Sequence, residues 1–397
     1  MSEYPSDWRV LPLGEVAEVV GGGTPSRDVP AFWGNDHHWI TPSEVVAKDG
    51  QTADRSKEQI SDLGLQSSGA KLHPPGTILM TSRASIGFAA IAKEEICTNQ
   101  GFQSLRCRSK LDNWFALHQI RHRRAELQQL AAGSTFLEVS GSNVRSFPFI
   151  VPPLPEQKKI AEMLSGIDNL IASTKQQEAK HRELALGIAE NILDSNCEYT
   201  RLGDVTTLIT KGTTPTSLGM SFSEQGINFI KVESIISDGV IDPGKFSFIG
   251  SDVHDALKRS QIKSKDILFT IAGATVGKLA LAEEHLLPAN TNQALAIIRV
   301  KSETLRPQFA YHWLKGGAVK TIVDQLQTVG AQPNVSLSQI GNFPMPIMPL
   351  DSQDNICNKL DSIDRVINSI RKKIFMMQNL RQSLASDLLS GRKRVSV

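Results

Sequence analysis

The segment Ala272-Gly273-Ala274-Thr275-Val276-Gly277-Lys278-Leu279 comes nearest in this sequence to a phosphate loop. Such a loop needs four residues between its glycines, so that successive amides wrap the phosphates, and a hydroxyl after the lysine for magnesium. Here three residues separate Gly273 from Gly277, and Leu279 stands where the hydroxyl belongs. The equivalent stretch Ser82 to Phe88 has no lysine, so both read as glycine turns after a strand. His118 and His122 are four apart on a predicted helix, a spacing that can aim two imidazoles at one metal. Gln119-Ile120-Arg121 supplies no glutamate base between them, and Arg121, Arg123 and Arg124 would repel a cation; a basic helix face is the better reading. His37-His38 has no cysteine or carboxylate cluster around it that the rest of the chain repeats. The four cysteines make no CxxC and suit reduced thiols. No G-x-S-x-G elbow, Asn-Pro-Pro-aromatic motif or Rossmann glycine pattern occurs. The expectation is a chain with no catalytic residue and no metal.

The elements that would position any site are written twice. Leu13-Gly14-Glu15-Val16 returns as Leu202-Gly203-Asp204-Val205, and Gly23-Thr24-Pro25 as Gly212-Thr213-Thr214-Pro215 with one residue inserted. Gly76-Thr77-Ile78-Leu79 answers to Lys265-Asp266-Ile267-Leu268, Ile86-Gly87 to Val276-Gly277, and Thr98-Asn99-Gln100 to Thr291-Asn292-Gln293. Phe147-Pro148 pairs with Phe343-Pro344, and Pro153-Leu154-Pro155-Glu156-Gln157 with Pro349-Leu350-Asp351-Ser352-Gln353. Seven matches in order, at a spacing of about 190 residues, are a tandem duplication of a domain-sized unit and not a solenoid.

Each unit has two parts. The first holds short apolar stretches between turn residues, such as Val16 to Val20, Ile78 to Met80 and Ser104 to Cys107, with helical stretches near Trp114 to Ala132 and Gln308 to Gln327. The second is a long amphipathic helix. Its apolar positions are Ile160, Leu164, Ile167, Ile171, Leu184, Ile188 and Ile192 in the first copy, and Ile356, Leu360, Ile363, Ile367, Ile370, Ile374, Met377, Leu384 and Leu388 in the second. Spacings of three and four over several heptads describe a coiled-coil seam, and some 38 residues span about 57 Å. Thr174, Gln177 and His181 interrupt the first seam. The fold class expected is mixed α/β (α+β): two similar globular domains, 1–155 and 198–350, separated by a pair of antiparallel helices, 156–197 and 351–397, in a pseudo-two-fold arrangement.

The chain of 397 residues carries 43 Lys+Arg against 41 Asp+Glu, a net of +2. That excludes a binder that works by bulk positive charge. The small total conceals a basic C-terminal segment, 351–397, where nine cations face five carboxylates and Arg371-Lys372-Lys373 and Arg392-Lys393-Arg394 cluster. A 40% hydrophobic content excludes disorder, and no apolar run nears the roughly 20 residues of a membrane span. With no basic or apolar leader at Met1 to Asp7, a cytoplasmic location is expected.

The order L-G-[ED]-V, G-x-T-P, I-G or V-G, T-N-Q, F-P, P-L-P-E-Q and a long helix, repeated once, resembles the specificity subunit of type I restriction–modification systems. The resemblance runs from Leu13 to the end of the second helix. It implies that each globular domain is a target recognition domain for one half of a split DNA sequence. It also implies that the helices act as spacer and dock two adenine-N6 methyltransferase subunits, with two motor-nuclease subunits completing a restriction complex. S-adenosylmethionine, ATP and magnesium would belong to those other subunits. A tandem-domain DNA-binding protein without methyltransferase partners is the alternative.

Features common to both halves cannot distinguish two different half-sequences, so Gly23-Thr24-Pro25, Thr98-Asn99-Gln100 and Phe147-Pro148 are expected to set fold, partner contact or common phosphate contacts, and base readout is expected where the halves diverge. In the first half this means Arg27 to Trp39, with Arg27, Trp33, Asn35, His37 and His38, and the stretch Gln66 to Lys71 with Arg83; in the second it means Lys211 to Gln225 and Lys231, then Lys258 to Gln261, with Lys258 and Arg259, and Lys278. Arg and Lys reach guanine edges or phosphates, and Asn pairs with adenine.

Overall fold

The computed structural model describes residues 4–131, 137–194, 197–236, 239–327 and 334–396, the side chains of 189–194 excepted. Ala132 and the Ile192 side chain therefore lie outside the described residues. The chain forms two compact units, one of residues 1–175 with 372–397 and one of residues 176–371. Each unit thus contains a globular part and a length of both long helices.

In the first unit, Arg9–Pro12 pairs antiparallel with Pro148–Val151. A five-stranded sheet runs in the order Ala17–Gly21, Gln103–Cys107, Ile78–Met80, Ala89–Ala92, Thr52–Ala53. A four-stranded sheet runs Glu58–Ile60, Trp33–Ile40, Ile96–Thr98, Leu72–His73. The second unit repeats this plan. Glu198–Arg201 pairs with Pro344–Ile347; Thr206–Lys211, Leu295–Val300, Ile267–Thr270 and Leu279–Leu281 form one sheet, and Ser247–Ile249, Ile227–Ile230, Ala289–Thr291 and Gln261–Ile262 the other. Only the edge strand Thr52–Ala53 has no counterpart among the described strands. Ile78–Met80, Ala89–Ala92 and Ile96–Thr98 are buried throughout, which explains why these strands read as short continuous apolar runs and not as alternations. Val16, a strand residue by pattern, instead ends the helical turn Leu13–Val16, because Leu13 and Val16, three apart, both enter the core.

The helical stretches are each broken once, into Asn113–His122 and Arg124–Gln129, and into Pro307–Lys315 and Gly317–Gln327. The long helices are Leu154–Asp194, 41 residues, and Leu350–Leu389, 40 residues, each about 60 Å long. Both start just after a proline, where a chain leaving extended backbone can enter a helix without losing a bond.

A buried glutamine fixes each start. The Gln157 Oε1 accepts the Asp112 backbone N–H at 2.8 Å, while its Nε2 donates to the Lys110 carbonyl at 3.0 Å and the Pro152 carbonyl at 2.8 Å. Gln353 does the same with the Arg306 N–H at 2.8 Å and the Thr304 and Met348 carbonyls at 3.1 and 2.9 Å. Both side chains are 0% exposed. Each thus satisfies the turn that leads into the domain helix and the turn that leads into the long helix.

From there the long helices pack on each other in both units. Ile160, Leu164 and Ile171 are buried and Ile167 is half-buried; Leu360, Ile363, Ile367 and Ile374 are buried, with Ile356 and Ile370 half-buried. In the first unit, Ala385, Leu388 and Leu389 of the C-terminal helix join the core that contains Leu13, Phe115 and Ile160. Ion pairs mark the register: Arg381 Nε donates to Asp168 at 3.0 Å in the first unit, and Arg371 Nε to Glu178 at 2.7 Å in the second. Ten residues forward on one helix meet ten residues back on the other, so the pairing is antiparallel. The interrupted stretch of the central helix buries Thr174, fills the seam with Glu178 against Arg371 and Arg182, and leaves Gln177 exposed. Leu184, counted with the apolar stripe by spacing, is exposed instead.

Replacing Gln157 or Gln353 by Leu removes the partner of one backbone N–H and two carbonyls at each helix start. The expected cost is about 3 kcal/mol or more in each case. Urea unfolding of the full chain measures it, and a loss below about 1 kcal/mol would show that the glutamine does not hold the helix start.

Candidate nucleic-acid interface

The first-half candidates other than Arg83 gather around one strand, Trp33–Ile40, which the pairing of Trp39 and Ile40 with Cys97 and Thr98 holds in parallel register. A bulge sets Trp33 and His37 both against Ile60, so strict alternation is lost between them. Arg27 lies over the Trp33 ring, 3.9 Å from its centroid, and forms a bidentate pair with Glu58, one arm at 2.9 Å. The Arg27 hydrogen bonds hold the Glu58 carboxyl below its usual range. Trp33 donates to the Ser26 carbonyl and meets Trp39 edge-on at 5.2 Å, while Trp39 is buried and donates to the Gly23 carbonyl. His37 Nε2 sits 2.7 Å from Asp62, and His38 Nδ1 sits 3.3 Å from the Ser56 hydroxyl. Asn35 is exposed on this strand. Arg83 stands elsewhere, paired to Glu138 at 2.9 Å on the turn after Ile78–Met80.

In the second unit, Arg259 donates to the Thr213 hydroxyl at 3.1 Å, so it lies beside the Gly212–Pro215 loop; Lys258 next to it and Lys211 before that loop are exposed. Lys231 lies 5.5 Å from the Phe222 ring centroid and 3.3 Å from Glu233. Phe222 meets the buried Phe229 edge-on at 5.1 Å. Each half therefore carries a cation on an aromatic that stands against a buried aromatic, with the cation drawn from before the strand in one half and after it in the other. Phe222 lies within the divergent stretch Lys211 to Gln225, where a lone aromatic among polar residues has no periodicity to single it out. Lys278 donates to the Ile235 carbonyl at 3.2 Å. Its segment turns between antiparallel strands Ile267–Thr270 and Leu279–Leu281, with Gly273 and Gly277 at positive φ. A phosphate loop must open a helix; this one opens a strand.

The shared motifs meet one another. Gly23 N–H donates to the Thr98 carbonyl at 2.9 Å, and Thr213 N–H to the Thr291 carbonyl at 3.0 Å. A Cβ on Gly22 or Gly212 would lie 2.2 or 2.1 Å from a carbonyl of the T-N-Q segment. Only glycine lets the two loops cross this closely.

His118, weighed as a metal ligand by spacing, is fully buried, with Nε2 2.9 Å from the Ser165 hydroxyl and Nδ1 3.4 Å from Arg381. Around it Asp168 accepts from Arg121 at 2.7 Å and from Arg381, and Asp49 from Arg124 at 2.7 Å. This network joins the domain helix to both long helices. Burial pushes Asp168 up, but Arg121 and Arg381 outweigh it and hold the carboxyl below its usual range. Among the described residues, no group of three or more His, Cys, Asp or Glu is placed to hold a metal. Arg394 of the basic tail is engaged as well: it pairs with Asp7 at 2.8 Å and with Glu156 at 2.6 Å.

A family model described as "Type I restriction modification DNA specificity domain" matches the chain twice, over residues 5–181 and 194–375. The chain is 27% identical over its whole length to the type I restriction enzyme MjaIX specificity subunit of Methanocaldococcus jannaschii, covering 95% of that protein. It is 23% identical to the EcoBI specificity subunit of Escherichia coli over 71% of this chain and 66% of that one. Among solved structures, the S subunit of a type I restriction–modification system from M. genitalium shares the fold with a TM-score of 0.62 at 15% identity, over 96% of both chains. A second structure, from work on type I complex assembly and conformational transition, gives 0.55 at 17% identity over 99% of this chain and 100% of that one.

Burial pushes the His118 pKa down to about 3. In the unfolded chain it titrates near 6.5, so between those values the unfolded state alone takes up the proton. Stability should therefore fall as pH drops below 6.5, by roughly 2 kcal/mol by pH 5 from this residue. The pH slope of the urea midpoint should flatten in His118→Gln; an unchanged slope would mean that the imidazole does not stay neutral in the fold.

Proposed function

Because two copies of that domain cover most of the chain, it belongs to the type I restriction–modification DNA specificity family, and we propose that each globular domain reads one half of a bipartite, asymmetric DNA target. The chain is the specificity subunit, a non-catalytic component of the enzyme. One observation carries the reading: the two halves keep one strand plan and one glutamine-fixed helix start, yet present different side chains at the candidate surfaces. Identical scaffolds with different surfaces suit two different half-sites. On this reading Arg27, Trp33, Asn35, His37, His38 and Arg83 serve one half-site, and Lys211, Lys231, Lys258, Arg259 and Lys278 the other. The engaged cations, such as Arg27 with Glu58 and Arg259 with Thr213, are oriented by their partners, while Asn35 and Lys258 are exposed.

The helices set the spacer and dock two adenine-N6 methyltransferase subunits, and through these the restriction subunits; the complex works in the cytoplasm. The functional division runs 1–155 and 198–350 for the readers, with 156–197 and 351–397 as spacers. Two features support this. Rods of about 60 Å exceed the 34–36 Å of one DNA turn. Met163 and Leu170, one heptad apart on the central helix in the first unit, are exposed and leave apolar surface for a partner. S-adenosylmethionine, ATP and magnesium belong to the partner subunits. Among the described residues no helix is long and apolar enough to cross a membrane.

Co-expression with a type I methyltransferase subunit, followed by sequencing of methylated adenines, tests the reading. One heptad inserted into both helices should lengthen the gap between half-sites and leave their bases unchanged. Exchange of residues 198–350 for those of another family member should alter one half-site only. A methylated gap indifferent to helix length removes the spacer role. At a single position, Arg259→Ala or Asn35→Ala should cost about 1–3 kcal/mol of target binding and relax one half-site, as for a lost base contact.

A further inference from the structure

The T-N-Q and G-x-T-P motifs are the same in both halves, and their side chains repeat one hydrogen bond. The Thr24 hydroxyl donates to the Gln100 Oε1, and the Thr214 hydroxyl donates to the Gln293 Oε1. Both glutamines are exposed. A fold-stabilising role does not need them there: the crossing of the two loops is already held by backbone bonds from Gly23 and Thr213 and by the fully buried Thr98 and Thr291. With Oε1 taken by the threonine, each amide keeps its two N–H donors for an acceptor from outside. A cation stands by the second pair, and in the first an exposed lysine follows the segment that lies against Gly23. Arg259 touches Thr213, next to Thr214; Lys71 is exposed and follows Ala70, whose backbone lies against Gly23.

We infer that the Thr24–Gln100 and Thr214–Gln293 pairs are sequence-independent clamps on the DNA backbone, each amide donating to a phosphate oxygen. The inference rests on the DNA-reading role proposed above and separates two kinds of contact within it. A donor common to both domains must meet something common to both half-sites, and phosphates are the part of DNA that does not change with sequence. The threonine holds the amide in one orientation before binding, so little side-chain freedom is lost when the phosphate arrives. Base readout then falls to the divergent residues, which the clamps hold in register.

Gln100→Glu and Gln293→Glu test this in the full chain assembled with its methyltransferase subunits. Glutamate is the same size, keeps an oxygen for the threonine, and replaces both donors with a charge that repels phosphate. Each variant should bind target and non-target duplexes about tenfold more weakly, and the salt dependence of binding should lose about one phosphate contact per site. The methylated sequence should stay the same, and Gln100→Lys should retain or raise affinity. Thermal unfolding alongside shows whether the fold is kept. Several outcomes overturn the clamp: unchanged affinity and salt slope in a folded variant, a changed base within one half-site, or loss of the methyltransferase subunit from the complex with affinity otherwise intact. If the unaltered complex binds and methylates no bipartite site, the DNA-reading role fails, and that failure is visible before any variant is made.

Discussion

Two fully buried glutamines, Gln157 and Gln353, decide how each long helix leaves its domain, and most of the remaining structure follows from that direction. An amide in this position offers one acceptor and two donors, and each glutamine spends all of them on backbone groups of the two turns that meet there. Once the start is fixed, the 3.6-residue period assigns every later face of the helix. One face meets the domain helix, through His118–Ser165 and Arg121–Asp168 in the first half and through His312–Asp361 and Lys315–Asp364 in the second. The next face is the seam, and a third stays exposed.

The contacts on the domain-facing side are polar in both halves, and they differ in kind. In the first half the charges are half-buried and cross-linked, with Asp168 shared by Arg121 and Arg381. In the second, Arg306–Asp354, His312–Asp361 and Lys315–Asp364 form a row of separate pairs. The shared network ties a residue of the C-terminal helix, Arg381, to a residue of the first domain. The first unit is complete only with the last part of the chain, which also supplies Leu388 and Leu389 to its core and Arg394 to Asp7 and Glu156. Arg371, Arg381 and Arg394 of the basic C-terminal segment are each paired with a carboxylate of the chain, so they are not a free positive field for a partner.

Much of the fold was legible because it was written twice. Seven matching motifs mark the domain-sized repeat, and heptads mark the helices, since a seam of 40 residues imposes a period that no other element does. The strand order was not legible. Ile78–Met80 and Ala89–Ala92 are buried on both faces, and a continuous apolar run carries no information about which neighbour it pairs with. The candidate surface was legible only in part. Arg27, Trp33, His37 and His38 do come together around one strand, but their polar partners are Glu58, Ser56 and Asp62, at separations that no local pattern signals. Leu184 misled for the opposite reason: it keeps a helical spacing from the seam residues after the polar stretch, yet falls on the exposed face.

The sequence by itself determined that this chain is a duplicated unit of globular domain and long helix whose motif order resembles the type I specificity family, because residue type and spacing are enough to establish a repeat. Only the tertiary structure decided what the repeated residues do. P-L-P-E-Q is visible as a motif, but that its glutamine is buried between two turns depends on Asp112 and Arg306, more than 40 residues away in each half. His118 looks the same on paper whether it binds a metal or is sealed beneath Ser165 and Arg381. The difference lies in burial and in long-range partners, which spacing along a chain does not record.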